Sequence, residues 1–128
     1  MTLEEALVAQ LTGYAGLATL IGDRVVAMAV FETTILPAVT YQRISTTPKR
    51  HRGGYGLESI RYQLDGWATS YDQGLELRKE IRAAMFQWQR PSGPRVDATL
   101  LQDDRDLREA GAGRYRASID FMLWATES

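Results

Sequence analysis

Apolar residues recur at two different spacings along the chain, and the spacing separates helices from strands. Leu3, Leu7 and Leu11 repeat every four residues behind a capping box of Thr2 and Glu5, which predicts a helix that ends at residue 13. A second apolar stripe between residues 77 and 88 has offsets of three and four. It predicts a helix from residue 70 to about residue 88. A short helical turn is predicted over residues 16–21.

Alternation with a period of two predicts the strands. It is clearest over residues 58–69 and 114–126, where apolar and polar side chains take opposite faces. Shorter strands are predicted over residues 24–30, 38–45 and 96–102. The order helix, three strands, helix, two strands indicates an α+β fold in which an antiparallel β-sheet is packed by two main α-helices. We expect a single domain over residues 1–128, because this length is usual for one domain.

Two segments between predicted strands are rich in turn-forming and charged residues. Residues 46–57 combine a proline, four basic side chains and three glycines, and we predict a long, mobile hairpin loop there. Residues 103–113 begin with an acidic cluster, which we interpret as a solvated turn between two strands.

Composition and charge narrow the class of protein. Hydrophobic residues make up 45% of the chain and charged residues 24%, as in ordinary globular proteins. The net charge of −1 lacks the basic excess that a broad nucleic-acid-binding face usually carries. The longest apolar run, residues 25–31, is far too short to cross a bilayer, and the acidic N-terminus does not resemble an export signal. We therefore expect a protein that stays in the cytoplasm and binds no membrane.

The residues that could carry chemistry form no recognisable site. The single histidine, His51, lies in the predicted loop, where nothing would fix its tautomer for base catalysis. The chain has no cysteine, which excludes thiolate nucleophiles and zinc–thiolate sites. Asp103, Asp104 and Asp106 lack the glycine and terminal glutamate of a calcium loop. We predict no catalytic residue, no cofactor and no metal; a small metal-dependent hydrolase using these aspartates is the least favoured alternative.

Six residues are predicted to bind partners, namely Lys49, Arg50, His51, Arg52, Trp67 and Trp124. The four basic residues suit a phosphate backbone or an acidic patch on a partner protein, and the alternative is a hairpin tip that charge keeps soluble. The two tryptophans lie on the polar faces of their strands, and indoles are enriched at interfaces. The alternative for them is a covering layer within the same chain.

Four segments of the sequence resemble the phage tail-terminator, or tail-to-head joining, family: LIGDRV (20–25), LPAVTYQRIS (36–45), YQLDGWATSY (62–71) and SIDFMLW (118–124). Their order and spacing match along almost the whole chain. Two glycines depart from the pattern, since Gly66 replaces a β-branched residue and Gly74 replaces an alanine.

The resemblance implies a structural role in the virion. Six copies would close a ring at the head-proximal end of a long non-contractile tail, stop growth of the tail tube and dock onto the head connector. The expected partners are further copies of the chain, the tail tube protein and the connector or stopper protein. DNA in the lumen would be met only transiently and without sequence preference. A different neck or head-completion protein on the portal side is the alternative.

Overall fold

Three helices and five strands follow one another in the computed structural model. It describes residues 1–28, 35–51, 54–109 and 113–127, without the side chains of 49–51, 54–56 and 107–109. The elements are α1 (Leu3–Gly13), α2 (Ala15–Ile21), β1 (Val25–Ala27), β2 (Ala38–His51), β3 (Gly54–Ala68), α3 (Tyr71–Met85), β4 (Arg95–Glu109) and β5 (Arg114–Thr126). The strands form one sheet in the order β1-β2-β3-β5-β4, antiparallel except for the pair β1–β2. The predicted α+β class and the order of the elements are confirmed.

Side-chain caps fix where the two longer helices begin. The Thr2 hydroxyl accepts the Glu5 N–H at 3.0 Å, and the Glu5 carboxylate accepts the Thr2 N–H at 3.3 Å. This reciprocal pair is the predicted capping box of α1. In α3, Ser70 accepts the N–H of Gln73 at 3.2 Å. The caps satisfy backbone donors that have no partner inside the helix.

The helices cover one face of the sheet and bury the core there. Alternate residues of β3 and β5 supply the sheet side of this core, among them Ile60, Tyr62, Leu64, Ile119, Phe121 and Leu123. Leu77 and Ile81 of α3 pack against them. A Cβ built on Gly66 would lie 3.1 Å from both Leu77 Cβ and Ile81 Cδ1. Glycine at position 66 therefore lets α3 approach β3 closely.

The prediction of a loop over residues 46–57 is wrong for the backbone that the structure describes there. Strand β2 continues to His51 and β3 begins at Gly54, and the two remain paired over this segment. The register shifts between Pro48 and Arg50. Such a bulge tolerates a residue without an N–H, so Pro48 does not end β2.

The prediction of a turn from residue 103 is also wrong, because β4 continues to Glu109. Pairing with β5 runs from Arg95↔Thr126 to Glu109↔Arg114. Because aspartates lie on both faces of β4, the sequence of this strand does not alternate between apolar and polar residues. In the fold they have arginine partners on each side, so the charges are tolerated within a strand.

Two further boundaries differ from the prediction. Helix α3 ends at Met85, because Phe86 is extended and Gln87 adopts a left-handed conformation with φ 54°. Strand β1 is limited to three residues and pairs in parallel with β2, followed by Met28 at φ 71°. Residues 29 and 30 of the predicted strand lie outside the described residues.

Candidate assembly interface

Strands β2 and β3 extend past the end of the sheet as a two-stranded ribbon, which we call the basic arm (residues 49–51 and 54–57). Glu58, opposite Ala125, is the last residue of β3 that pairs with β5. Beyond it, the described residues of β2 and β3 pair only with each other, as far as His51 with Gly54. From Pro48 to His51 the arm projects by roughly 10 Å, at about 3.3 Å per residue.

The predicted basic run falls in this arm. Lys49, Arg50 and His51 belong to the projecting part of β2, and Arg52 lies outside the described residues. The segment 46–57 contains no acidic residue, so the arm carries an uncompensated positive charge of its own. The backbone of residues 49–51 thus belongs to a projecting strand pair.

A cluster of ion pairs lies at the base of the arm, and we call it the Arg43 cluster (Arg43, Glu4, Glu58, Tyr62 and Glu127). The Arg43 guanidinium is 2.5 Å from the Glu4 carboxylate and 2.6 Å from that of Glu127. It also donates to the Tyr62 hydroxyl at 3.0 Å, and this hydroxyl donates to Glu4. One guanidinium therefore ties α1, β2, β3 and the end of β5 together.

The cluster shifts the pKa values of its members in both directions. Burial opposes ionisation of Glu4, but hydrogen bonds from Tyr62 and Arg43 outweigh it and lower the pKa of this carboxyl. Hydrogen bonds from Arg43 also lower the pKa of Glu127. Desolvation, followed by the charge of Glu127, raises the pKa of Glu58. Burial and the hydrogen bond to Glu4 raise the pKa of Tyr62. Three carboxyl groups share one guanidinium, so the base of the arm has an acidic excess.

The sheet face away from the helices carries buried carboxylates that are paired with arginines. Asp120 is 2% exposed and accepts hydrogen bonds from Arg61 at 2.5 and 3.0 Å. Arg105 lies 3.7 Å from the other oxygen of Asp120. The Asp65 carboxylate is 3.6 Å from Arg116. Buried carboxylates need such partners, so the charges of this face largely neutralise one another.

The structure places both predicted tryptophans on this face. Trp67 is 7% exposed, donates its indole N–H to the Thr40 hydroxyl at 2.9 Å and lies beneath the Arg116 guanidinium. Trp124 is half-buried and pairs across the strands with Ser59. Trp67 therefore keeps little surface to offer a partner, whereas Trp124 keeps more, and an interface role for either remains a prediction.

Three aspartates of β4 form what we call the acidic triplet: Asp103, Asp104 and Asp106. Arg78 of α3 binds Asp104 at 2.8 Å and also binds Asp106, and Arg82 lies 3.3 Å from Asp104. Arg105 pairs with Asp103 at 2.5 Å on the opposite face. These contacts link α3 to β4. Among the described residues, no group of three or more possible metal ligands occurs.

The sequence did not indicate where apolar side chains remain exposed. Val26 and Met28 are exposed on the β1 side of the sheet, Leu100 and Leu101 are exposed on the β4 side, and Ile35 is exposed just before β2. The Arg43 cluster was also missed. Its members come from distant parts of the chain, and no local spacing connects them.

The fold and these surfaces define a two-layer α+β protein whose distinctive features are a projecting arm and exposed edges. The fold is similar to that of a chain from the virion of a native gene transfer agent particle. The TM-score is 0.79 at 16% sequence identity, over 98% of this chain and 95% of that one. No curated protein matches the sequence. In the described part of the chain, no helix has both the length and the apolar character needed to cross a membrane.

The sequence model of the family named tail completion protein gp17 matches residues 5–126. The chain belongs to this family, and it is therefore a structural protein of the phage tail or neck. The resemblance found in the sequence is confirmed.

Proposed function

We propose that the chain forms a ring at the phage head–tail junction, where it terminates the tail tube and joins it to the head connector. Membership of the tail completion family supports a place at the end of the tail. The ring consists of identical copies in head-to-tail contact, most simply six, since only a heterologous interface closes a ring of that kind. The virion is therefore its working location.

One observation carries this proposal, namely the basic arm that projects from the sheet. An isolated two-stranded ribbon is marginally stable in water, so a projecting one gains most from a partner that covers it. Its uncompensated positive charge favours an acidic surface, on a neighbouring copy, the tube or the connector. DNA in the lumen would offer only backbone charge and thus transient contact.

The Arg43 cluster supports this role because it fixes the direction of the arm. Arg43 also donates to the Thr46 hydroxyl at 3.0 Å, three residues before the arm begins. Several hydrogen bonds to one guanidinium hold both strands to α1 and to the end of β5. A rigid base lets the arm meet a partner without a large loss of conformational entropy.

The titratable groups suit a structural role rather than catalysis. Among the described residues, those with shifted pKa values surround Arg43 and are engaged in ion pairs or hydrogen bonds with it or with one another. The acidic triplet is held by arginines of α3 and β4. Both sets therefore serve stability, and the proposed function needs no catalytic residue, cofactor or metal.

Deletion of the gene tests the proposal. We expect the deletion strain to accumulate separate filled heads and tails, with tails of irregular length, and purified protein to bind the head-proximal ends of isolated tails in electron micrographs. Normal joining of heads to tails in the deletion strain would contradict the proposal. Heads that lose DNA, next to complete tails of normal length that bind no added protein, would instead indicate a head-completion protein on the portal side.

A further inference from the structure

Exposed apolar side chains lie on both outer sides of the sheet. On the β1 side, Met28 is 62% exposed, and Val26 is also exposed. Among the described residues, strand β1 pairs with β2 alone, over three residues, so these side chains lie at a short outer edge of the sheet. We call Val26 and Met28 the β1 edge patch.

The β4 side carries a groove. Helix α3 ends at Met85, and the left-handed Gln87 turns the chain so that Phe86 remains 74% exposed. Beside it lie Leu100 and Leu101 of β4, both exposed. The groove has a volume of about 760 Å³, and Tyr14, Met85 and Phe121 help to line it. We call it the β4 groove.

The two surfaces lie at nearly the same height on opposite edges of the sheet. Through the registers of the five strands, Ala27 is in line with Tyr41, Leu64, Ile119 and Asp104. Met28 therefore lies near the level of Asp103, two residues from Leu101 along β4. A copy placed beside another in the plane of the sheet would bring the β1 edge patch next to the β4 groove.

We propose that the β1 edge patch of one copy packs into the β4 groove of the next copy and so forms the subunit interface of the ring. This inference rests on the proposed ring. A head-to-tail ring requires two different surfaces on opposite sides of the subunit, and an apolar outer edge facing an apolar groove meets that requirement. The occupant of the groove is thus a second copy of this chain.

The area available fits an interface that forms during assembly. Two apolar side chains at the β1 edge and three beside the groove, 38% to 74% exposed, offer on the order of 200–300 Å² on each side. A standard interface buries about 800 Å² per partner, of which a little more than half is apolar. The patch and the groove supply part of that apolar share, and the arm and the tail supply the remainder.

Cysteine crosslinking tests the interface directly, because the chain has no cysteine of its own. The test variant is Met28→Cys/Leu101→Cys, treated with a short bismaleimide during assembly onto isolated tails. The control variant is Ile44→Cys/Leu75→Cys, at two exposed positions outside both surfaces. All four substitutions are at exposed sites, and melting curves verify that each variant folds.

We expect the test variant to give a ladder of covalent oligomers, with a yield at least about tenfold that of the control. The reason is that contact between subunits raises the effective concentration of the two cysteines to the millimolar range. A mixture of the single variants Met28→Cys and Leu101→Cys should stop at dimers. Each single variant alone should give no covalent oligomers.

Dimers from either single variant alone would overturn the proposal in favour of a twofold interface. No ladder, while the uncrosslinked variant still binds tails, would refute the interface and leave the proposed function intact; no binding of the wild-type chain to tails would refute the function itself.

Discussion

Gly66 and Gly74 provide two glycine-to-alanine substitutions whose effects on stability should have opposite signs. Gly66 lies in β3 beneath α3, and a Cβ there would be 3.1 Å from Leu77 Cβ and Ile81 Cδ1. The Ile81 methyl can turn away, but Leu77 Cβ is fixed to the helix backbone. Alanine at position 66 therefore pushes α3 away from the sheet.

The magnitudes follow from these contacts. Overpacking of a well-filled core lowers the free energy of unfolding by about 1–3 kcal/mol, whereas replacement of a strand glycine by alanine raises it by about 0.5–1 kcal/mol. Gly66→Ala should therefore lower the free energy of unfolding by about 1–2 kcal/mol. At Gly74 the nearest atoms lie at 4.0 Å, an ordinary contact distance. Gly74→Ala should raise the free energy of unfolding by about 0.5–1 kcal/mol through helix propensity.

Urea unfolding of the two variants and the wild type checks both signs. We expect the midpoints to move in opposite directions with an unchanged m-value, because neither substitution alters the surface exposed on unfolding. Melting temperatures should shift by about 3–5 °C per kcal/mol. If Gly66→Ala is as stable as the wild type, the close approach of α3 to β3 does not constrain the fold, and this reasoning is refuted.

Three further predictions concern charge. The pKa values of Glu4 and Glu127 are lower in the folded protein than their ordinary value of 4.5, so ionisation of these groups stabilises the fold above that pH. This stability is lost as the pH falls through the folded-state pKa values. The raised pKa of Glu58 offsets part of the effect. Urea midpoints should therefore fall steeply below about pH 4.5, and less steeply in Arg43→Met. Asparagine at all three positions of the acidic triplet should lower the free energy of unfolding by about 1–2 kcal/mol, measured by urea unfolding, because the paired arginines are partly exposed. Assembly of this variant onto tails should continue. Loss of assembly would contradict the structural role of the triplet. Serine in place of Lys49, Arg50 and Arg52 should change stability by less than about 0.5 kcal/mol while abolishing head–tail joining in a complementation assay. Normal joining of heads to tails by this variant would show that the arm is only a hairpin whose charge keeps it soluble.

The sequence predicted the elements whose local pattern agrees with the fold. Strand β5 was placed at its observed ends, because its alternation is uninterrupted from residue 114 to residue 126. The capping box of Thr2 and Glu5 marked the start of α1. In these segments one face meets the core and the other does not, so the apolar pattern is sufficient.

The missed features depend on contacts between distant residues. The continuation of β4 was hidden because Asp104 faces the helices, where only Arg78 and Arg82 make a charge acceptable. The parallel pairing of β1 with β2 could not be inferred from a short apolar run with no clear face. Pro48 suggested a loop, yet a shift of register accommodates it.

The candidate interface was predicted in part. The charge of residues 49–52 is visible in the sequence, but the place of residues 49–51 in a projecting strand pair is not. The Arg43 cluster joins residues 4, 43, 58, 62 and 127, and the two apolar edges arise only when β1 and β4 become the outer strands. Such surfaces depend on topology and not on local spacing.

A cryo-electron microscopy map of the assembled neck tests the proposed function most directly. We expect copies of this chain to form one closed ring between the last ring of the tail tube and the head connector, with each basic arm against an acidic surface. Density for the chain at any other position in the particle, or as isolated subunits without mutual contact, would contradict the proposal.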